Sequence, residues 1–380
     1  MPDLKILTIV GARPQFIKAA AVSRAIARVL DHAVPGHTVT EMLVHTGQHY
    51  DDNMSRVFFD ELDIPLPHHN LGVGGAAKSH GAAKSHGAQT GRMLERIEEI
   101  LLDEKPHWCL VYGDTNSTLA GALAAAKLHV PVAHVEAGLR SFNRRMPEEI
   151  NRVLADHVSD LLFCPTDAAA RNLAREGITR GVRRSGDVMY DCALHYAEKA
   201  RALEPAVLAR LGLTAKSFFL ATVHRAENTD ATDRLRGIFD ALNEIGSPER
   251  PVVFPVHPRT AHRIDELQLR AAAGLRLIPP AGYLEMVCLE RNASVILTDS
   301  GGVQKEAFFY RVPCVTLRDE TEWLETVEHG WNTLAGAARA KIVDAAARAA
   351  RAALPEWVPL YGDGNAAGEI VRQLIEATPA

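Results

Sequence analysis

A chain of 380 residues is long enough for two domains with separate cores, and 47% hydrophobic with 23% charged residues is ordinary for a globular protein in water. The net charge of −5 gives no global basic field, which argues against nucleic acid as a partner and requires any bound phosphate to meet local positive charge. Five scattered cysteines without a C-x-x-C pair point to reduced thiols in a cytoplasmic protein, not to disulfides or zinc, and no apolar run reaches membrane-spanning length.

In chain order, Leu4 to Val10 reads as a strand, Gly11-Ala12-Arg13-Pro14 as a tight loop and Phe16 to Leu30 as a helix, the opening unit of a parallel sheet. The loop lacks G-x-G-x-x-G, so a bound nicotinamide is not supported. Arg13 and Lys18 stand near the helix start, either to meet an anion or as surface cations. A second strand, Val39 to Val44, ends in His45-Thr46-Gly47-Gln48-His49, without the spacing of a metal site. Leu71 to Gly91 reads as a glycine-rich loop carrying a perfect tandem repeat, Ala-Ala-Lys-Ser-His-Gly at 76–81 and 82–87, a tolerated insertion.

The strand Cys109 to Tyr112 runs into Gly113-Asp114-Thr115 and an alanine-rich helix, so Asp114 is either functional or the helix cap. Val130 to Val135 reads as a buried strand that stops at Glu136, and Pro147 opens the next helix. On that helix Ile150, Val153, Leu154, Val158 and Leu161 share one face, which puts Glu148 and Arg152 on the opposite face as a functional or merely solvated pair. Strands at Leu161 to Cys164 and Val182 to Ser185, around a helix from Asp167 to Glu176, complete the first half. Strands at Phe218 to Val223 and Val252 to Val256 then end in His224-Arg225 and His257-Pro258-Arg259. In V-I-L-T-D-S-G-G-V-Q-K-E, from Val295 to Glu306, a strand runs through Ser300, Gly301 and Gly302 into a helix whose first N–H groups suit phosphate oxygens, with Glu306 suited to a ribose. The plainer reading is a glycine turn capped by Asp299 or Ser300.

The motifs G-A-R-P-Q-F-I-K, T-G-Q-H, G-D-T, H-V-E-A-G-L-R-S, P-E-E-I-N-R, T-V-H-R-A-E-N, F-P-V-H-P, L-T-D-S-G-G-V-Q-K-E, R-D-E-T-E-W and Y-G-D-G-N-A together resemble the non-hydrolysing UDP-N-acetylglucosamine 2-epimerase family over essentially the whole chain. The resemblance implies an α/β fold of GT-B type, with two Rossmann-like parallel-sheet domains facing a central cleft: residues 1–186 on the sugar side, residues 187–358 binding UDP, and residues 359–380 crossing back as a helix. It also implies a homodimer, no metal or nicotinamide cofactor, and inversion at C2 of a UDP-2-acetamido sugar that feeds cell-surface polysaccharide synthesis. Residue by residue, Arg13 matches a diphosphate contact, and Lys18, Asp114, Glu136, Glu148 and Arg152 match sugar-side polar groups. His224 matches an essential histidine, and Ser300, Gly301, Gly302 and Glu306 match diphosphate and ribose contacts. Gln48, His49 and His257 fall where some bacterial members bind a second, allosteric UDP-sugar.

Two departures stand out: Gln15 replaces the family's usual glutamate after Arg-Pro, and the six-residue repeat lengthens the loop on the allosteric side. In motif detail the chain is most similar to the branch acting on UDP-2,3-diacetamido-2,3-dideoxy-glucuronate, where Arg144 and Arg145 would suit an added carboxylate. A sugar C2–H without an adjacent carbonyl is scarcely acidic, so elimination of UDP is the route left, with Asp114, Glu136 and Glu148 as acid/base groups. A GT-B glycosyltransferase, a hydrolysing epimerase and a UDP-sugar sensor are the alternatives.

Overall fold

The structure is a computed structural model that describes residues 4–31, 39–47, 65–73 and 85–378, apart from the side chains of Arg13 and residues 29–31. The chain forms two compact units, one of Met1–Cys192 with Pro359–Ala380 and one of Ala193–Val358. Among the described residues no helix is long and apolar enough to cross a membrane.

The first unit holds the strands β1 (Leu4–Val10), β2 (Val39–His45), β3 (His69–Asn70), β4 (Trp108–Tyr112), β5 (Val132–Val135), β6 (Leu161–Cys164) and β7 (Val182–Arg184). They form one parallel sheet in the order β3-β2-β1-β4-β5-β6-β7. The second holds β8 (Phe219–Thr222), β9 (Val252–Pro255), β10 (Leu275–Ile278), β11 (Val295–Thr298), β12 (Cys314–Thr316) and β13 (Asn332–Leu334), in the order β10-β9-β8-β11-β12-β13. Helices cover both faces of such sheets, which is why the central strands read as unbroken apolar runs and not as alternating ones. Ile6, Leu7, Ile9 and Val10 of β1 and Val295, Ile296 and Leu297 of β11 have no exposed surface.

Each sheet reverses its strand order once, between β1 and β4 in the first unit and between β8 and β11 in the second. At such a switch point the connections leave toward opposite faces and open a crevice at the carboxyl ends of the strands. Gln15 stands in the first turn of the helix after β1, the loop after β4 carries Gly113 and Asp114, and those after β8 and β11 carry His224, Arg225, Asp299 and Ser300.

Two sequence expectations are corrected. The expected loop from Leu71 to Gly91 ends early, because Ser85, inside the second copy of the repeat, caps a helix His86–Glu104 by accepting from the Ala88 N–H; residues 74–84 lie outside the described residues. The helix Pro147–His157 is turned the other way round from the expectation. Ile150 and Leu154 are 44% and 47% exposed, while Glu149, Asn151, Arg152 and Asp156 are buried. Leu161 belongs to β6. Apolar spacing misleads here because the helix docks on the polar strand-end loops of the sheet, so its buried side must supply charge and hydrogen bonds.

The helix Ala366–Ala377 returns to the first unit and packs on the helix Arg13–Asp31. Its N-terminus is capped by Asp191, which accepts from the N–H groups of Ala366 (3.1 Å) and Ala367 (2.7 Å). Burial of the Asp191 carboxyl outweighs those two bonds and, with Asp187 and Asp363 near by, pushes its pKa up to about 6. A carboxyl whose folded pKa lies above its unfolded value binds protons more tightly when folded, so its stabilising effect is complete below the unfolded pKa and is lost as pH rises through 6. From pH 4 to 7 the wild type is expected to lose about 2 kcal/mol more unfolding free energy than Asp191→Asn, measured by denaturant titration at each pH.

Candidate active site

In the first unit, Lys18 reaches from the first helix to pair with Glu136 just past β5, and both side chains are almost fully buried. The pair lies against Gly113, after β4, where a Cβ would stand 3.0 Å from Lys18 Nζ and 3.2 Å from Glu136 Oε2. Gly113 also has φ +62°, so both space and backbone conformation require glycine there. Glu136 itself has φ +70°, a conformation uncommon for a residue with a side chain and characteristic of functional turns.

Asp114, next to Gly113, has a third of its side chain exposed and pairs with the guanidinium of Arg152. It is not the cap of the following helix; Thr115 caps Asn116–Lys127 in a reciprocal bond pair with Thr118. Arg152 also donates to Glu149 Oε2 (3.0 Å), so its partners are Asp114 and Glu149, and the solvated pair with Glu148 is not formed. Glu148 is half-buried in the first turn of the same helix. Asn151 fixes the Asp114 backbone by donating to its carbonyl (2.9 Å) and to Asn116 Oδ1 (3.1 Å). Glu149 accepts from Ser141 N, Ser141 Oγ and Phe142 N, each at 2.9 Å, and so pins the loop that carries the exposed Arg144 and Arg145.

Behind these loops, His134 of β5 is wholly buried between Gly113 O (2.7 Å from Nε2) and Asp156 Oδ1 (2.8 Å from Nδ1). The Asp156 carboxylate also accepts from Gly138 N (3.1 Å) and from Arg140 (2.7 Å), and Arg140 is gripped in turn by Glu176. Burial alone would raise the Asp156 pKa, but His134 and Arg140 hold it below the ordinary carboxylate value.

In the second unit, the completely buried Asp299 carboxylate accepts from the backbone N–H groups of His224 (3.1 and 3.2 Å) and Arg225 (3.0 Å) and from Asn228 Nδ2 (3.1 Å). This presents the His224 ring at the surface, 6.4 Å between centroids from His257, which caps the helix Pro258–Glu266 by accepting from Arg259 N. Ser300 caps the helix Gly301–Phe309 by accepting from Val303 N, so the first N–H groups of that helix are its free anion-receiving end. A Cβ on Gly301 would lie 3.3 Å from the indole Nε1 of Trp323 and 4.0 Å from the Arg225 guanidinium. Two further donors therefore border this helix end, together with the Glu322 carboxylate at 4.0 Å, which accepts from Arg318. Gly302 is half-buried in its first turn, and Glu306 is buried one turn further on.

Of the residues singled out in the sequence, Lys18, Asp114, Glu136 and Arg152 come together in the first unit, and His224, His257, Ser300 and Gly301 in the second. Gln48, His49 and the Arg13 side chain lie outside the described residues. Sequence reasoning missed His134, Arg140, Glu149, Asn151 and Asp156. A histidine inside an apolar strand was the available signal for His134; Glu149, Asn151 and Asp156 were hidden because their helix face was read as solvated, and Arg140 because it stands in a loop. The five thiols are all buried and reduced, and burial pushes the Cys109 thiol up to about 12. Among the described residues no group of three His, Cys, Asp or Glu side chains is arranged to hold a metal ion.

With this geometry in view, a family model described as UDP-N-acetylglucosamine 2-epimerase matches residues 33–375. The UDP-2,3-diacetamido-2,3-dideoxy-D-glucuronate 2-epimerase of Pseudomonas aeruginosa is 53% identical over 98% of this chain and 99% of its own. The chain belongs to the UDP-N-acetylglucosamine 2-epimerase family. It is an isomerase with two Rossmann-like units of the GT-B type. A UDP-N-acetylglucosamine 2-epimerase homologue of Methanococcus maripaludis is 52% identical over the same shares of the two chains. The crystal structure of the Methanocaldococcus jannaschii UDP-GlcNAc 2-epimerase, in complex with UDP-GlcNAc and UDP, is 43% identical over 99% of this chain and all of its own, with a TM-score of 0.85.

Gln15 accounts for one departure from the family pattern. Its Oε1 accepts from Gly11 N (2.9 Å) and Ala12 N (3.0 Å), and its Nε2 donates to Tyr112 O (2.9 Å) and Thr118 Oγ1 (3.0 Å), so one buried amide ties the ends of β1 and β4 together. A carboxylate there would face the Tyr112 carbonyl without a proton to donate. Gln15→Glu is therefore expected to lower the unfolding free energy at pH 8 by about 1–3 kcal/mol in chemical denaturation, and by less at pH 4 where the acid regains a donor.

Proposed function

We propose that this enzyme is a 2-epimerase of a UDP-2-acetamido sugar, with UDP-2,3-diacetamido-2,3-dideoxy-glucuronate as its natural substrate, acting by elimination and re-addition of UDP. The reading is carried by the paired carboxylates Asp114 and Glu136 at the first switch point, each beside a buried cation. It is supported by the anion-receiving end of Gly301–Phe309, with Arg225 and Trp323 beside it, at the second.

In the proposed reaction the C1–O bond breaks and its electron pair leaves on the UDP phosphate oxygen. Arg13, His224, the Ser300 hydroxyl and the N–H groups of Gly301 and Gly302 take up that charge, the Ser300 N–H being given to Thr298 Oγ1, while Glu306 holds the ribose. The developing cation at C1 acidifies C2–H, one carboxylate among Asp114, Glu136 and Glu148 removes that proton, and a C1=C2 double bond forms. Proton delivery to the opposite face of C2 and return of the UDP oxygen to C1 give the epimer, so nothing is consumed. Lys18 and Arg152 orient the carboxylates. We assign the chain to the cytoplasm as a homodimer making a precursor of a cell-surface polysaccharide.

Deuterium oxide tests the chemistry: NMR is expected to show reversible epimerisation with deuterium entering C2, and net release of UDP without label would remove the proposal. Asp114→Asn and Glu136→Gln are each expected to lower kcat by roughly 10²- to 10⁴-fold while calorimetry still finds UDP bound, and Glu306→Ala to weaken UDP itself.

The substrate assignment is supported by the 53% identity to the Pseudomonas aeruginosa enzyme and by Arg144 and Arg145, exposed on the loop that Glu149 holds in shape. The value of kcat/KM for the diacetamido-glucuronate is expected to exceed that for UDP-GlcNAc by more than about tenfold, since a charge-assisted hydrogen bond contributes roughly 1.5–3 kcal/mol. Replacing both arginines by methionine should shrink that ratio by harming the uronate. Equal turnover of the two sugars would make plain UDP-GlcNAc the substrate.

A further inference from the structure

Among the described residues, His134 is bonded to the Asp114 turn directly and to the Glu136 turn through Asp156. Its Nε2 meets the carbonyl of Gly113, immediately before Asp114. Its Nδ1 meets Asp156, whose other oxygen takes the N–H of Gly138, two residues after Glu136. The Gly113 N–H closes the loop by donating to Val135 O, immediately before Glu136. Both partners of the imidazole are acceptors: a peptide carbonyl has no proton, and an Asp156 carboxylate held by Arg140 has none either. Each ring nitrogen must therefore donate, which only the imidazolium does. Charge balances locally, with His134 and Arg140 set against Asp156 and Glu176.

We propose that His134, as a buried imidazolium held by Asp156, is a positioning residue that fixes the Asp114 turn relative to the Glu136 turn. It acts through the backbone and not on the sugar. The two carboxylates ride on turns with left-handed backbone, which Gly113 and Gly138 adopt freely but which neighbouring contacts have to enforce at Glu136. Gly138 runs so close to the helix Asp167–Arg175 that a Cβ there would lie 2.4 Å from the Ala169 carbonyl oxygen. Displacing one carboxylate by about 1 Å is enough to cost on the order of 10²-fold in rate.

The proposal rests on the reading of Asp114 and Glu136 as the acid/base pair, and the tests separate the two. In the intact wild-type enzyme at pH 7.5, ¹⁵N-histidine NMR, assigned against His134→Gln, is expected to show both His134 ring nitrogens protonated; a neutral tautomer overturns the proposal. In His134→Ala, kcat is expected to fall by roughly 10- to 100-fold, with KM for the UDP-sugar and the Kd of UDP within about twofold of wild type. His134→Gln, whose amide can reach the Gly113 carbonyl, should recover part of that loss. Unchanged kcat in folded His134→Ala, or equal damage to kcat, KM and UDP affinity, overturns the positioning role. If His134→Ala does not fold, the nitrogen protonation in the wild type and the kcat of His134→Gln decide, and wild-type kcat or no turnover in the latter counts against the role. Retained turnover in Asp114→Asn and Glu136→Gln would instead sink the acid/base reading while leaving the protonation result standing.

Discussion

A carboxylate that is taken out of water must be met on every side, and one such group, Asp156, organises the first unit. It is fully buried, and its two oxygens receive His134, Arg140 and the Gly138 N–H. Three chain segments, β5, the turn after it and the helix Pro147–His157, are thereby fixed to one point. Removing a partner from such a cluster leaves an uncompensated charge in a dry interior, which typically costs about 3–5 kcal/mol. The cluster therefore specifies one arrangement of the turns, whatever its net contribution to stability.

The second unit uses the same device with different partners. Asp299, at the end of β11, is buried with His224 Nδ1 3.5 Å from its Oδ1; its oxygens are filled by the N–H groups of His224 and Arg225 and by Asn228. Asn228 is itself anchored to the Leu317 carbonyl. The loop after β8 is thus pulled onto the end of the neighbouring strand at the switch point, where His224 and Arg225 face solvent beside the helix end at Gly301. In both units, the partly exposed polar groups past the strand ends stand on a layer of buried carboxylate and backbone bonds.

The helix Pro147–His157 shows how this layering reshapes a surface. Its inward side is used for Arg152, Glu149, Asn151 and Asp156, so Ile150 and Leu154 are left outside, alongside the exposed Phe142. An amphipathic helix normally turns its apolar stripe inward because burying that stripe is worth about 25 cal/mol per Å². Here the inward position is set by ion pairs and caps that only polar groups can complete.

The sequence by itself determined the alternation of strand and helix, the polar clusters just past strand ends and the family, because parallel strands buried on both faces leave long apolar runs and their connecting loops carry distinctive residues such as H-V-E-A-G and T-D-S-G-G. Leu4–Val10 and Val295–Thr298 could be read almost to the residue for that reason. Only the tertiary structure decided which polar residues stay open past the strand ends and which are buried against one another. Arg152 turned to Asp114 and Glu149, not to Glu148, and His134, Asp156 and Asp299 became supports. The physical reason is that periodicity reports apolar burial alone, whereas charge is buried through partners more than twenty residues away along the chain, which no local pattern records.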